Sequence, residues 1–165
     1  MLKLTDRDWV LFKVGDVFTV YTGSLMARDI LITGKIPRVT VKETNNGIDG
    51  YYRKVNDKNY RTLTNFISVS FLGGVFYHPY TASLDMKVHA LKMKDKEYSK
   101  GVALFLVRAI RSCVSKFTYG DQLSSTDLPR QKILLPVNRD NEPDWQFMED
   151  YINTREQKLL NEYKT

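Results

Sequence analysis

The chain is 165 residues long, with 42% apolar and 27% charged residues, so it can enclose one real core and is neither a disordered tail nor a fibre. Lys and Arg number 25 against 19 Asp and Glu, a formal charge of +6 that suits a polyanionic partner because displaced counterions drive such binding. One cysteine, Cys113, excludes an internal disulfide and fits a reducing, cytosolic setting; the sequence shows neither a signal peptide nor an apolar run long enough to span a bilayer.

The first 95 residues or so are β-rich. Val10, Phe12, Val14, Val17 and Val20 alternate in part across a break at Gly15-Asp16, which predicts a strand pair or a strand with a turn. A short apolar run, Ile30–Ile32, ends at Gly34, and Ile36–Val41 alternates as a strand. Asn45-Asn46-Gly47 is a strong hairpin signal, because such turns need positive φ. Phe66–Phe71 predicts a strand punctuated by Gly73-Gly74, Val75–Tyr77 a strand ending at His78-Pro79, and Val88–Met93 another.

The pattern then changes. Val102, Leu106, Ala109, Ile110, Cys113, Val114 and Phe117 fall at helical spacing, with Ser99 as N-cap and Cys113 on the buried face. Residues 118–132 are polar and loop-like, and Ile133–Val137 is a short strand. Asn141-Glu142-Pro143-Asp144 opens a last helix with Pro143 at its first position. Beyond Arg155 that helix carries only a thin apolar seam, which needs a partner helix to cover Leu159, Leu160 and Tyr163; Met148 and Ile152 continue the seam upstream. The fold class expected is α+β: a β-rich domain with a packed helix over 1–142, then a helical segment over 143–165.

Catalytic parts are missing. His78 and His89 are not ligand-spaced, and with one cysteine they make no zinc finger, so no metal site is expected. His78 reads as a turn residue before Pro79. Phosphate loops, dinucleotide fingerprints and nucleophile elbows do not occur. Pro143-Asp144 with Glu156-Gln157-Lys158 imitates a nuclease metal signature. On one continuous helix, however, the two carboxylates lie about 18 Å apart along the axis and share no ion.

Two loop patches have the chemistry of nucleic-acid contact. The first holds Arg38, Lys42, Thr44, Asn45, Asn46, Tyr51, Arg53 and Lys54; the second holds Lys116, Tyr119, Gln122, Ser124, Ser125 and Arg130. Arg pairs with guanine, Asn and Gln with adenine, and Lys or Ser with phosphate.

Several segments run in one family's order: WVLFKVGDVF (9–18), GKIPRVT (34–40), NNGIDGY (45–51), GVFYHPY (74–80), ALFLVRAI (103–110), KFTYGDQLS (116–124), ILLPV (133–137) and EPDWQFMEDYI (142–152). In these the chain resembles the target-recognition domain of the specificity subunit of type I restriction–modification systems and of related type II enzymes. The resemblance implies a mixed α+β DNA-reading domain without bond chemistry of its own, followed by a spacer helix that pairs with a second helix. It implies double-stranded DNA as ligand and methyltransferase subunits as partners, with a restriction-translocase subunit doing any cutting. S-adenosylmethionine, ATP and magnesium would then belong to the partner subunits. It also implies that one domain is half of a bipartite reader, completed by a second copy as a homodimer or by a second recognition domain. The rival expectation is an interaction or assembly protein of the same fold that docks on methyltransferase subunits without reading DNA.

Overall fold

The computed structural model describes residues 1–164. Strands β1 (Trp9–Lys13), β2 (Phe18–Thr22), β3 (Thr33–Val39), β4 (Ile48–Tyr52), β5 (Thr62–Ser70), β6 (Val75–Leu84), β7 (Val88–Met93) and β8 (Lys132–Pro136) combine with α1 (Val14–Val17), α2 (Lys100–Val114) and α3 (Trp145–Tyr163). The larger sheet has the order β2-β7-β5-β6-β3-β4, and β1 pairs antiparallel with β8 in a separate two-stranded sheet. The observed class is the mixed α and β arrangement expected.

The expectation of a strand pair over residues 9–21 is corrected. Both strands form, but one helical turn over Val14–Val17 redirects the chain, so β1 pairs with β8 and β2 with β7. The Gly15-Asp16 break is that turn, packed under Pro129. The helix start is also corrected. Asp144, not Pro143, heads α3, its carboxylate accepting from the Phe147 N–H at 2.9 Å. Pro143 instead forms an isolated bridge with Val137.

Strand β6 does not end at His78-Pro79. Thr64 pairs with Thr81 and Phe66 with His78, so Asn65 alone faces Pro79 and Tyr80. This is a bulge, where a proline costs no ladder hydrogen bond. Asn65 meets it with φ +54. Its side chain accepts from the Tyr77 hydroxyl at 2.9 Å and donates to the Tyr98 carbonyl at 3.1 Å.

The sheet is rolled, as the segment after β2 shows. Gly23 N–H reaches Val88 O and Ser24 N–H reaches Leu84 O, each at 3.1 Å, although β5 separates β7 from β6 in the sheet. The concave side encloses Val39, Phe66, Ala82, Leu84, Val88 and Ala90. The other face packs Ile67, Val69, Val75 and Leu91 against Val102, Leu106, Ile110 and Val114 of α2. His78 belongs to the enclosed side rather than to a turn. Its Nε2 meets Ser68 Oγ at 2.8 Å and its Nδ1 meets Tyr80 Oη at 3.1 Å. Burial pushes its pKa down to about 4, so the ring is neutral at pH 7. No helix among the described residues is long and apolar enough to cross a membrane.

Helix α3 begins inside this body. Met148 is fully buried and Phe147 nearly so, while Tyr151 and Ile152 pack partly on the core. Met148 is therefore corrected from a partner-helix residue to a core residue. Ile152 is half-buried against its own domain. Leu159, Leu160 and Tyr163 project into solvent at 55%, 51% and 89% exposure, so residues 143–164 divide into an embedded half and a bare half, and Thr165 lies outside the described residues.

Candidate nucleic-acid interface

Hairpin β3–β4 turns through a short 3-10 segment, Asn45–Gly47, with φ of +50, +53 and +77. Asparagine tolerates that region, and its amide bonds back locally. Asn45 Nδ2 donates to Ile48 O at 3.5 Å, and Gly47 N–H donates to Thr44 O at 3.0 Å. Lys42, Thr44, Asn45 and Asn46 are all exposed at this tip.

The first predicted patch is not one surface. Arg38 is 3% exposed, and its guanidinium donates to Ser24 O at 2.9 Å and pairs with Asp85 at 3.3 Å. It is corrected from a DNA-contact candidate to a buried clamp. Alternation along β3 does not expose Arg38 because both faces are covered at this end of the strand, Pro37, Arg38 and Val39 all being buried. Arg53 and Lys54 follow β4, where Arg53 N–H bonds Ile32 O. They lie about 17 Å along the strand from the Asn45–Gly47 tip, from five residues of extended rise. Tyr51 sits between, exposed and opposite Pro37.

The second patch follows α2. Buried Phe117 and Leu123 pin both ends of a turn closed by Thr118 N–H to Asp121 O (3.1 Å) and Asp121 N–H to Thr118 O (3.2 Å). Tyr119 at its tip is 82% exposed, and Lys116 and Gln122 flank it in solvent. Ser124 is committed elsewhere, its hydroxyl bonded to the Asp127 carboxylate and accepting from the Asp127 N–H. Ser125 is exposed beyond it. Arg130 is exposed but ends a 3-10 turn, Leu128–Arg130, whose Pro129 packs on α1, away from the tip.

Main-chain bonds join the two tips along one rim. Val39 O accepts from Asp85 N–H at 2.9 Å, Lys87 O accepts from Phe71 N–H at 3.1 Å, and Phe71 O accepts from Leu123 N–H at 3.0 Å. The β3–β4 loop, the β6–β7 turn, the β5–β6 turn and the 118–122 loop are thus successive neighbours. At ordinary strand spacing the row extends about 15–20 Å, comparable with a DNA major groove about 12 Å wide and its flanking phosphates. Sequence reading did not find Asp85-Met86-Lys87 in this row. Its only signal is an Asp between two apolar strands, whose Oδ1 accepts the N–H two residues on.

Two concavities elsewhere have the wrong chemistry for phosphate. A cleft of about 750 Å³ is lined by Asp16, Asp95, Glu97, Glu142, Asp144 and Glu149. Two of these carboxylates serve the helix ends: Asp144 caps α3 and pairs with Arg7 at 2.8 Å, and Glu149 bonds Ser99 and the Val102 N–H at the start of α2. A second groove, about 550 Å³, is apolar and lined by Trp9, Leu11, Leu104, Leu134 and the half-buried Cys113, whose thiol pKa burial raises. Among the described residues no cluster of His, Cys, Asp or Glu is placed to hold a metal ion. Asp144 and Glu156 of the nuclease-like pattern stand at the head and middle of α3, and Glu156 pairs with Lys100 at 2.6 Å.

Comparison with known proteins adds the following. The family described as type I restriction modification DNA specificity domain matches residues 6–165. The specificity subunit S.BcgI of a type II restriction enzyme of Heyndrickxia coagulans is 32% identical over 161 residues, covering 96% of this chain and 46% of that protein. The fold is shared with the type I restriction–modification S subunit of M. genitalium, at TM-score 0.68 and 18% identity over 97% of this chain and 42% of that one. It is also shared with the HsdS subunit of Thermoanaerobacter tengcongensis, at TM-score 0.63 and 12% identity over 93% and 38%. The chain spans less than half the length of each of these relatives.

Proposed function

The chain belongs to the family of type I restriction modification DNA specificity domains, and we propose that it reads one half of a bipartite DNA site without itself catalysing any reaction. The observation that carries this reading is the rim: two exposed polar loop tips, each flanked by a lysine, far apart in sequence and joined through two intervening turns by main-chain bonds. Lys42 and Lys116 set the register on phosphates, and Asn45, Asn46 and Gln122 read base edges. Tyr119 supplies an aromatic surface at the tip. Arg53, Lys54 and Tyr51 lie too far along β4 to enter the same groove as the tip and contact the flanking backbone instead.

Methyltransferase subunits are the partners that bring S-adenosylmethionine, while ATP and magnesium serve a restriction-translocase subunit. The assembly works in the cytoplasm. The bare half of α3, with Leu159, Leu160 and Tyr163, pairs with a second helix, from another copy or from a second recognition domain.

Selection from a random duplex pool, with and without methyltransferase subunits, is the test. One enriched half-site is expected. Replacing Lys42 and Gln122 by alanine and Asn45 and Asn46 by glycine, which keeps the positive φ of the turn, should abolish enrichment while leaving methyltransferase capture intact. Enrichment of the same site by this variant would overturn the assignment of the loops.

A further inference from the structure

We infer that the β6–β7 turn is a third DNA-contacting element, with Lys87 on a backbone phosphate and Met86 against the apolar side of a base edge. This rests on the DNA-reading function proposed above.

The turn lies between the two reading loops, not beside them. Its first residue bonds β3 just before the β3–β4 loop, through Asp85 N–H to Val39 O. Its last bonds Phe71, which in turn holds Leu123. A duplex that touches both loops therefore passes over Met86 and Lys87. The turn is also rigid. Lys87 N–H donates to Asp85 Oδ1 at 3.2 Å and Val88 N–H to Asp85 O at 3.1 Å, so a side chain presented here carries little loop-ordering cost.

Charge supports the same assignment. A bare Asp85 on this rim would repel phosphate, but the buried Arg38 guanidinium pairs with it. The acidic residue is neutralised from beneath, and Lys87, exposed above it, sets the sign of the turn. Met86 is 45% exposed on a tight turn whose neighbours are polar. An unbranched thioether there can follow a thymine methyl or a sugar face without a fixed partner.

The test uses the whole chain with its methyltransferase partners and two probes, the random duplex pool and a fixed-sequence duplex. Binding is followed by anisotropy between about 50 and 200 mM salt. Lys87→Ala should weaken binding about fivefold on every sequence and make the log K against log[salt] slope shallower by about 0.9. Lys87→Arg should restore both. Met86→Ala should leave the slope unchanged and relax preference at one base pair. Lys3→Ala, beside Asp6 at the N-terminus, controls for net charge. Both positions are exposed, so unfolding midpoints should not move. If the wild-type chain selects no sequence, the reading of function fails and the role of the turn with it. If the wild type selects a site while Lys87→Ala matches Lys3→Ala and Met86→Ala keeps full preference, the turn's role alone is overturned.

Discussion

Gly101 offers a test in which the sign of the effect matters more than its size. It occupies the first turn of α2, where a Cβ would meet the Glu149 carboxylate of α3 at 2.7–2.9 Å. That carboxylate accepts from Ser99 Oγ and from Val102 N–H, at the positive end of the α2 dipole. Gly101→Ala by itself favours a helix by up to about 1 kcal/mol. The methyl, however, must displace Glu149. Hydrogen bonds to a charged group contribute about 1.5–3 kcal/mol, and in this half-exposed cap about 2 kcal/mol is reasonable. Gly101→Ala should therefore destabilise by about 1 kcal/mol, lowering the urea midpoint by about 0.5 M for a slope near 2 kcal/mol/M. In a Glu149→Ala background the conflict is gone, and the same substitution should stabilise by about 0.5–1 kcal/mol. A double-mutant cycle followed by tryptophan fluorescence measures both. Stabilisation by Gly101→Ala in the wild-type background would refute the view that Glu149 fastens α3 to α2.

Other consequences can be checked in parallel. Met148→Ala should cost about 3 kcal/mol in unfolding, whereas Leu159→Ala and Leu160→Ala should leave the isolated chain unchanged and weaken only helix pairing in sedimentation. Arg38→Met should cost about 2–3 kcal/mol, since it strands Asp85 and Ser24 O, and should weaken DNA binding further by exposing the Asp85 charge on the rim. Acid should destabilise the fold in two stages. His78 and His89, held neutral by burial with pKa near 4, contribute stability that is complete above the unfolded value of about 6.5 and falls as pH drops toward 4. Glu149 is held low chiefly by the Ser99 hydroxyl, and its contribution is complete above about 4.3 and disappears as pH falls through its lower native value. Urea midpoints at descending pH measure both stages. His89→Phe, which keeps the stack on Phe71, should flatten the first; an unchanged profile would remove His89 from the account.

Element types were legible in the sequence, because period and turn chemistry are local. The Asn45-Asn46-Gly47 hairpin, the Ser99-capped helix and the strand at Ile133 all formed as read. Partners were not legible. Nothing in Trp9–Tyr21 says that a single helical turn sends its two strands to different sheets. Pro79 looked like a strand end because the bulge that admits it exists only through the register of β6 against β5, where Asn65 alone faces Pro79 and Tyr80. Arg38 read as a DNA-contact residue because its ligands, Ser24 and Asp85, are distant in sequence. The rim is likewise a property of contacts: Phe71 and Leu123 carry no mark of each other.

The stitching of that rim has an evolutionary consequence. Val39 O, Asp85 N, Lys87 O, Phe71 N, Phe71 O and Leu123 N are all peptide atoms. The alignment of the loops is therefore indifferent to the side chains mounted on them. The side chains of Asn45 and Ser124 retain local duties to the backbone. Lys42 and Gln122 are exposed, and exchange there should alter stability by no more than about 0.5 kcal/mol, whereas Asn46, at φ +53, exchanges without strain only for glycine or aspartate. A protein built this way can drift to a new target at those positions without first passing through a misfolded ancestor.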